Sequence, residues 1–397
     1  MNFIFISPHF PHTYWAFCDR LHRNGINVLG IADAPYDQLD SRLRSALTEY
    51  YKVDNMEDYD QVYRAVAYFA FKYGRIDWIE SNNEYWLEQD ARLRTDFNVC
   101  TGIKTDHIRA IKEKSEMKKY YALGHIPTAR QIRASEGYEA VCRFVSESKF
   151  PLISKPDRGV GATDTCKISS YDELARYYAE RPNIDDYVIE EFIDGDIVSY
   201  EAIVNAQGDP IFESSTLWPP SLMDIVNKQL ELIYTIDKGV PDALRDLGRR
   251  TVKAFGVFNR FVHLEFFRLR HDHPGLGQAG DFVALEVNMR PPGGYTPDMM
   301  NYAHSTDIYQ IWADMVAYGS TLQPWGQQRY CTYIGRRDVW CYRHTHEEVL
   351  DRYRDAIVMC ERIPDVLSGA MGNQSYTLLF DTFDEINECV RYITEKA

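Results

Sequence analysis

The 397-residue sequence predicts a multidomain protein of mixed α/β and α+β class. Three observations carry that expectation. Strand-like and helix-like patterns alternate over residues 1–103, as in a parallel sheet with crossover helices. Two runs with period-two alternation, Phe261–Leu269 and Phe282–Met289, flank a turn-rich connection and read as neighbouring antiparallel strands. The tail after about residue 323 has a strand–helix–strand–helix order of its own.

In the opening unit, strand Phe3–Ile6 runs through Ser7-Pro-His-Phe-Pro11 into a helix with Trp15, Cys18 and Leu21 on one face, ended by Gly25. Strand Asn27–Ile31, helix 58–72 and strand Ile76–Glu80 follow. The first strand has no G-x-G-x-x-G turn, which argues against a dinucleotide site. Loops after strand ends commonly hold ligands, which singles out His9, Asp33 and Glu84. Each has a simpler structural reading, and for Ser81-Asn-Asn-Glu84 it is a capping box.

Residues Thr105–Leu123 form a helix candidate ending at Gly124, with Pro127 beyond. Its lysines 112, 114, 118 and 119 beside Glu113 and Glu116 suit a solvated face with i,i+4 pairs. Strand Leu152–Ser154 then delivers Lys155, followed by Pro156 and a glycine-bearing loop, Gly159 and Gly161 to Thr163. Backbone N–H groups in such a loop can approach phosphates. Tyr187–Gly195 is a strand running into an acidic turn. The connection 217–226, with its Trp-Pro-Pro, either lines a pocket or packs as a rigid loop, and helix 241–255 follows.

The two alternating strands hold the densest chemistry. Val262, Leu264 and Phe266 face one way, and His263, Glu265 and Phe267 the other. In the second run Val283, Leu285 and Val287 oppose Glu286 and Asn288. A carboxylate and an amide two residues apart are hard oxygen ligands suited to Mg2+. Antiparallel pairing brings Glu265 beside Glu286, and clustered carboxylates repel unless a cation lies between them. Arg290 continues the ligand face just as Pro291-Pro-Gly-Gly294 stops the strand. Either strand alone reads as a hairpin with acids in solvent; the combination favours a metal.

The order Glu265, then Glu286-x-Asn288-x-Arg290-Pro, resembles the metal-binding end of the ATP-grasp superfamily, in particular its carboxylate–amine ligases. The resemblance spans about residues 105–320. It implies an ATP-grasp domain at 104–322, with a lid subdomain at about 124–192. Before it would lie a Rossmann-like pre-ATP-grasp domain at 1–103, and after it a small α+β module at 323–397.

The resemblance also assigns roles. It implies that Glu265, Glu286 and Asn288 hold Mg2+, or Mn2+ in its place, on ATP. It places Arg290 against phosphate or the activated carboxylate. Lys114, in an acid–Lys pair ahead of Gly124-x-x-Pro127, and Lys155 would bind ATP phosphates under a lid loop Gly159–Thr163 that includes Gly161. Many relatives carry more hydroxyls in that loop; here Thr163 alone supplies one. Glu190 would face the adenine amine, and the backbone of Glu191, Phe192 and Ile193 the ring edge. The family's ribose acid falls on Ile197, leaving either ribose contact by adjacent Asp196 or a plain acidic turn.

The formal charge of −15 argues against a broad nucleic-acid surface but not against ATP. Eight scattered cysteines without a C-x-x-C suggest free thiols in a reducing compartment. The apolar start is too short for a signal peptide, and no run approaches the ~18 residues of a membrane span. A cytoplasmic protein is expected, acting on small-molecule carboxylates and amines, amino acids among them, with homo-oligomers allowed. His344-x-His346 lacks a third ligand nearby and reads as structural.

The expected activity is ATP-dependent amide or peptide bond formation through an acyl phosphate. A biotin-carboxylase-like subunit making carboxyphosphate and a non-catalytic ATP-binding sensor are the alternatives.

Overall fold

The computed structural model describes residues 1–159, 164–218 and 229–397. The N-terminal strands are β1 (Asn2–Ile6), β2 (Asn27–Ala32), β3 (Glu49–Lys52) and β4 (Trp78–Glu80). They form a parallel sheet in the order β3-β2-β1-β4, as the alternating pattern predicts. Helices Trp15–Arg23 and Tyr59–Tyr73 supply crossovers.

A second sheet contains β5 (Gln131–Arg133), β6 (Leu152–Pro156), β7 (Cys166–Ile168) and β8 (Tyr187–Glu191), ordered β5-β8-β6-β7 and antiparallel. Helices Tyr138–Ser148 and Tyr171–Glu180 share its apolar core through Val141, Val145 and Leu174.

The third sheet has eight strands. These are β9 (Gly195–Val204), β10 (Pro210–Trp218), β11 (Leu232–Ile236), β12 (Arg260–Leu269), β13 (Phe282–Asn288), β14 (Tyr330–Arg336), β15 (Ile357–Arg362) and β16 (Gln374–Phe380). Their order is β13-β12-β9-β10-β11-β14-β16-β15. The tail strands β14–β16 thus extend the sheet that holds β12 and β13. Helix Asp242–Ala254 packs so closely on this sheet that a Cβ at Gly248 would lie 2.5 Å from the Tyr200 ring. Only glycine permits that approach.

One apolar core joins the first and third sheets. Phe3, Phe5 and Phe17 surround Trp312 of helix Ile308–Tyr318 at ring-centroid distances of 5.6, 6.4 and 4.9 Å. Arg260 in turn links Glu80, at the end of β4, to the Met289 carbonyl just after β13.

Three expected elements differ. The helix expected over 105–123 is two helices, Ile108–Lys112 and Lys114–Leu123, separated by an extended Glu113. The break lets the Lys114 N–H bond the carbonyl of Asp157. The tail, expected as strand–helix–strand–helix, has a further strand: its first helix stops at Arg352, and Ile357–Arg362 is strand β15. There the run Ile357-Val-Met favours an extended edge paired with β16. Asn83, not Ser81, caps the turn after β4, so the expected capping box does not form.

Candidate active site

Strand register assembles the centre of the site. Glu265 pairs with Glu286, and His263 with Asn288, across β12 and β13. On the other side of β12, His263 pairs with Glu201 and Glu265 with Ser199 of β9. Six polar residues therefore occupy two rungs on one face of the sheet, with the Tyr200–Leu264–Val287 row between them.

The carboxylates of this group are held unequally. His263 bridges two of them, with Nδ1 2.9 Å from Glu201 Oε1 and Nε2 3.2 Å from Glu265 Oε1. Burial alone would lower the His263 pKa, but bonds to both carboxylates raise it to about 9. Burial would likewise raise that of Glu265, yet His263, Arg290 and Lys155 bring it below the usual range. Glu286 is pushed up by burial and by the neighbouring Glu265 charge, with Lys114 opposing.

That strain is what a divalent cation between the two carboxylates would relieve. Among the described residues, no cluster of three or more His, Cys, Asp or Glu is arranged to hold a metal. A cation here would instead use two carboxylates, the Asn288 amide and phosphate oxygens. Asn288 Nδ2 lies 3.5 Å from Glu265 Oε1, and a half-turn of the amide would present its oxygen. The donor set fits Mg2+.

Helix Lys114–Leu123 brings cations to this centre. Lys114 Nζ stands 3.2 Å from Glu286 Oε1 and donates to the Gly159 carbonyl at 3.2 Å. Gly159 has φ +128°, a conformation that requires glycine. Lys155 Nζ reaches Glu190 Oε2 at 2.7 Å, while Lys118 Nζ reaches Oε1 at 2.8 Å. Burial would raise Glu190, but the two ammonium groups hold it down at about 2. Lys114, Lys155 and Gly159 line one cleft of about 650 Å³ with Arg133 and Arg158.

The expectation of a solvated lysine face is corrected here. Lys112 and Lys118 are largely enclosed, paired with Glu84 and Glu190 that arrive from distant parts of the chain. Lys119 alone fits the expectation, exposed beside Glu116. Tyr121 is a residue the sequence reading missed. Its buried hydroxyl has no hydrogen-bond partner among the described residues, and its titration is driven far up by burial and then by Glu286, Glu190 and Glu265. Lys114, Lys118 and Tyr121 recur at i, i+4 and i+7, so their shared helix face was legible.

Arg290 lies beyond Asn288 as expected, with Nε 3.5 Å from Glu84 Oε2 and Nη1 donating to the Pro291 carbonyl. Glu84, released from the expected cap, joins the site and is also held by Lys112 Nζ at 2.8 Å. Asp33 lies within 4.0 Å of His9 Nε2, and both stay in the loops after β1 and β2.

The remaining sequence candidates lie along β8 and its exit. The Glu191 carboxylate is bonded by Arg130 N at 2.7 Å and Arg130 Nε at 2.9 Å. Lys167 Nζ sits 4.5 Å over the Phe192 ring, and Ile193 packs with Ala129, Leu269 and Val283. Asp196 accepts from Arg270 Nε at 3.0 Å. Gly161 and Thr163 lie outside the described residues, as does most of the 217–226 connection. His344 stacks on Tyr392 at 3.6 Å and His346 bonds the Tyr376 hydroxyl, so this pair is structural. The described cysteines are free, and no described helix is long and apolar enough to cross a membrane.

A parallel N-terminal sheet, a small antiparallel sheet and a large antiparallel sheet make up the ATP-grasp fold, and this chain has it. Solved structures of that fold align over nearly its whole length. Phosphoribosylglycinamide synthetase from Anaerococcus prevotii is 14% identical, covering 100% of this chain and 99% of its own at a TM-score of 0.65. L-amino acid ligase from Bacillus licheniformis is also 14% identical, covering 98% and 96% at a TM-score of 0.69. The biotin carboxylase domain of 2-oxoglutarate carboxylase from Hydrogenobacter thermophilus, in complex with ADP, its magnesium salt and bicarbonate, is 15% identical. It covers 98% of this chain and 88% of its own at a TM-score of 0.63. No protein-family model matches the chain, and no curated protein does. At these identities the likeness carries the fold.

Proposed function

We propose that the protein is an ATP-dependent, ADP-forming ligase that joins a carboxylate to an amine through an acyl phosphate. The observation that carries this reading is the Glu265–Glu286 pair, with Lys114 on Glu286 and with Lys114 and Lys155 lining one cleft. Such a set neutralises phosphate charge while two anions approach, and offers no protein nucleophile.

Glu265, Glu286 and Asn288 would hold Mg2+, which when bound supplies charge neutralisation on the ATP phosphates. Lys114 and Lys155 bind and orient those phosphates beneath the loop that begins at Gly159. The β8 exit from Glu190 to Ile193 meets adenine, with Asp196 at the ribose. Arg290 lies towards the transferred group. A substrate carboxylate oxygen attacks the γ-phosphorus, the bond to ADP breaks, and ADP leaves. The amine nitrogen then attacks the acyl carbon, sheds a proton and expels inorganic phosphate.

The phosphate therefore departs with one oxygen from the carboxylate. With carboxylate substrate labelled by heavy oxygen, one labelled atom in inorganic phosphate and ADP as coproduct are expected. Label held wholly in the product, or release of AMP and pyrophosphate, would exclude the route. Bicarbonate-dependent ADP release with biotin as acceptor would replace it with carboxyphosphate chemistry.

A further inference from the structure

Lys114 and a divalent cation have claims on the same carboxylate oxygen. Lys114 Nζ stands 3.2 Å from Glu286 Oε1, with the two side chains 6% and 16% exposed. Glu265 is held differently, by His263 Nε2 at 3.2 Å and Asn288 Nδ2 at 3.5 Å. Of the two paired acids, Glu286 is the one tied to a lysine, and that lysine faces the cleft where phosphates are expected.

A cation bound directly to Glu286 Oε1 at ~2.1 Å would bring its double charge within a few ångströms of the ammonium. Both charges would share an enclosed site in which screening is weak. Neither arrangement tolerates the other unless the ammonium acquires another anion. A nucleotide phosphate is such an anion, and Lys114 already bonds the carbonyl of Gly159, at the start of the phosphate-type loop.

We infer that Lys114 makes divalent-metal binding conditional on nucleotide, because its ammonium keeps Glu286 Oε1 until phosphate draws it away. The inference rests on the proposed ATP site and adds to it an order of assembly. Linkage makes the effect reciprocal: whatever factor the nucleotide contributes to metal affinity, the metal contributes to nucleotide affinity. Lys155 cannot substitute in this role, since its ammonium is engaged by Glu190.

The test is Mn2+ binding to the full chain followed by electron paramagnetic resonance, with and without ADP. In Lys114→Met, nucleotide-free Mn2+ affinity should rise about tenfold, and the further gain on adding ADP should shrink. Lys114→Gln provides a second folded variant with the same expectation. Lys119→Met, at an exposed lysine of the same helix paired with Glu116, should leave nucleotide-free Mn2+ affinity within about twofold of the parent. Unchanged or weaker Mn2+ binding in Lys114→Met and Lys114→Gln, or an equal rise in Lys119→Met, would overturn the inference. Glu286→Gln separates the two levels of the argument. If the parent with ADP holds no Mn2+ that Glu286→Gln removes, the metal site itself is wrong. If Glu286→Gln removes it but the Lys114 variants have no effect, only the order of assembly falls.

Discussion

Arg260, the first residue of β12, is bonded to Glu80, the last residue of β4. Through Nη1 the same guanidinium holds the Met289 carbonyl at 2.7 Å, one residue before Arg290. Arg94 joins Glu80 at 2.9 Å, so one buried carboxylate serves two guanidinium groups. Burial would raise the pKa of Glu80, but Arg260 and then Arg94 bring it below the usual range. Breaking such a buried pair costs on the order of 3–5 kcal/mol. Urea unfolding of Arg260→Met should show that loss, and a cost under about 1 kcal/mol would mean the link is inert.

Removing the metal-facing charge should separate activity from folding. Glu286→Ala is expected to keep its circular dichroism spectrum while losing Mg2+-dependent ATP turnover. A folded Glu286→Ala protein with parental turnover would contradict the site.

Lys155 offers a second separation. Its place near the end of β6, ahead of the glycine-bearing loop, predicts that Lys155→Met weakens ATP far more than adenosine. Calorimetric titration with both ligands checks this. Equal losses would point to a general defect of the buried Lys118–Glu190–Lys155 group.

For Arg290, contact with the transferred phosphoryl predicts a loss felt mainly in the transition state. Arg290→Met should lower kcat by a factor of about one hundred or more with little change in ATP affinity. Steady-state kinetics combined with equilibrium nucleotide binding would show the split, and a matched fall in affinity would count against it.

Stability should depend on pH through His263. Its pKa rises from 6.5 unfolded to about 9 folded. A raised histidine contributes its full stability below pH 6.5 and loses it as pH climbs through about 9. The loss is at most about 3 kcal/mol. Half-buried His9 and buried His304 have lowered values, so their contribution runs the opposite way at lower pH. Urea unfolding in chelator between pH 6.5 and 9 should slope downward for the parent and flatten for His263→Gln. Parallel slopes would refute the assignment.

Much of the site was legible because a strand has a two-residue period. Glu265, Glu286 and Asn288 announce a shared face, and the turn-rich 271–280 connection makes their pairing short-range. His263 lies on that same face but has no evident purpose until Glu201 arrives from β9, 62 residues away. Lys118 and Lys112 were misread because charged spacing on a helix looks alike whether the partner is solvent or a distant acid. Glu84 shows the same difficulty in a loop, where a local cap and a remote Lys112 compete for one carboxylate. The helix break at Glu113 has its cause in Asp157, again beyond any local window.

The aromatic cluster around Trp312 bears on how the chain can be divided. Phe3, Phe5 and Phe17 belong to the first hundred residues, yet the tryptophan they enclose lies some three hundred residues later. A fragment ending near residue 103 would carry these rings with nothing to cover them, and contiguous exposed apolar surface of that kind promotes self-association. Fragment complementation should therefore recover a monodisperse species only when the second piece supplies Ile308–Tyr318. The N-terminal sheet is a separate architecture whose aromatic core is completed by Trp312.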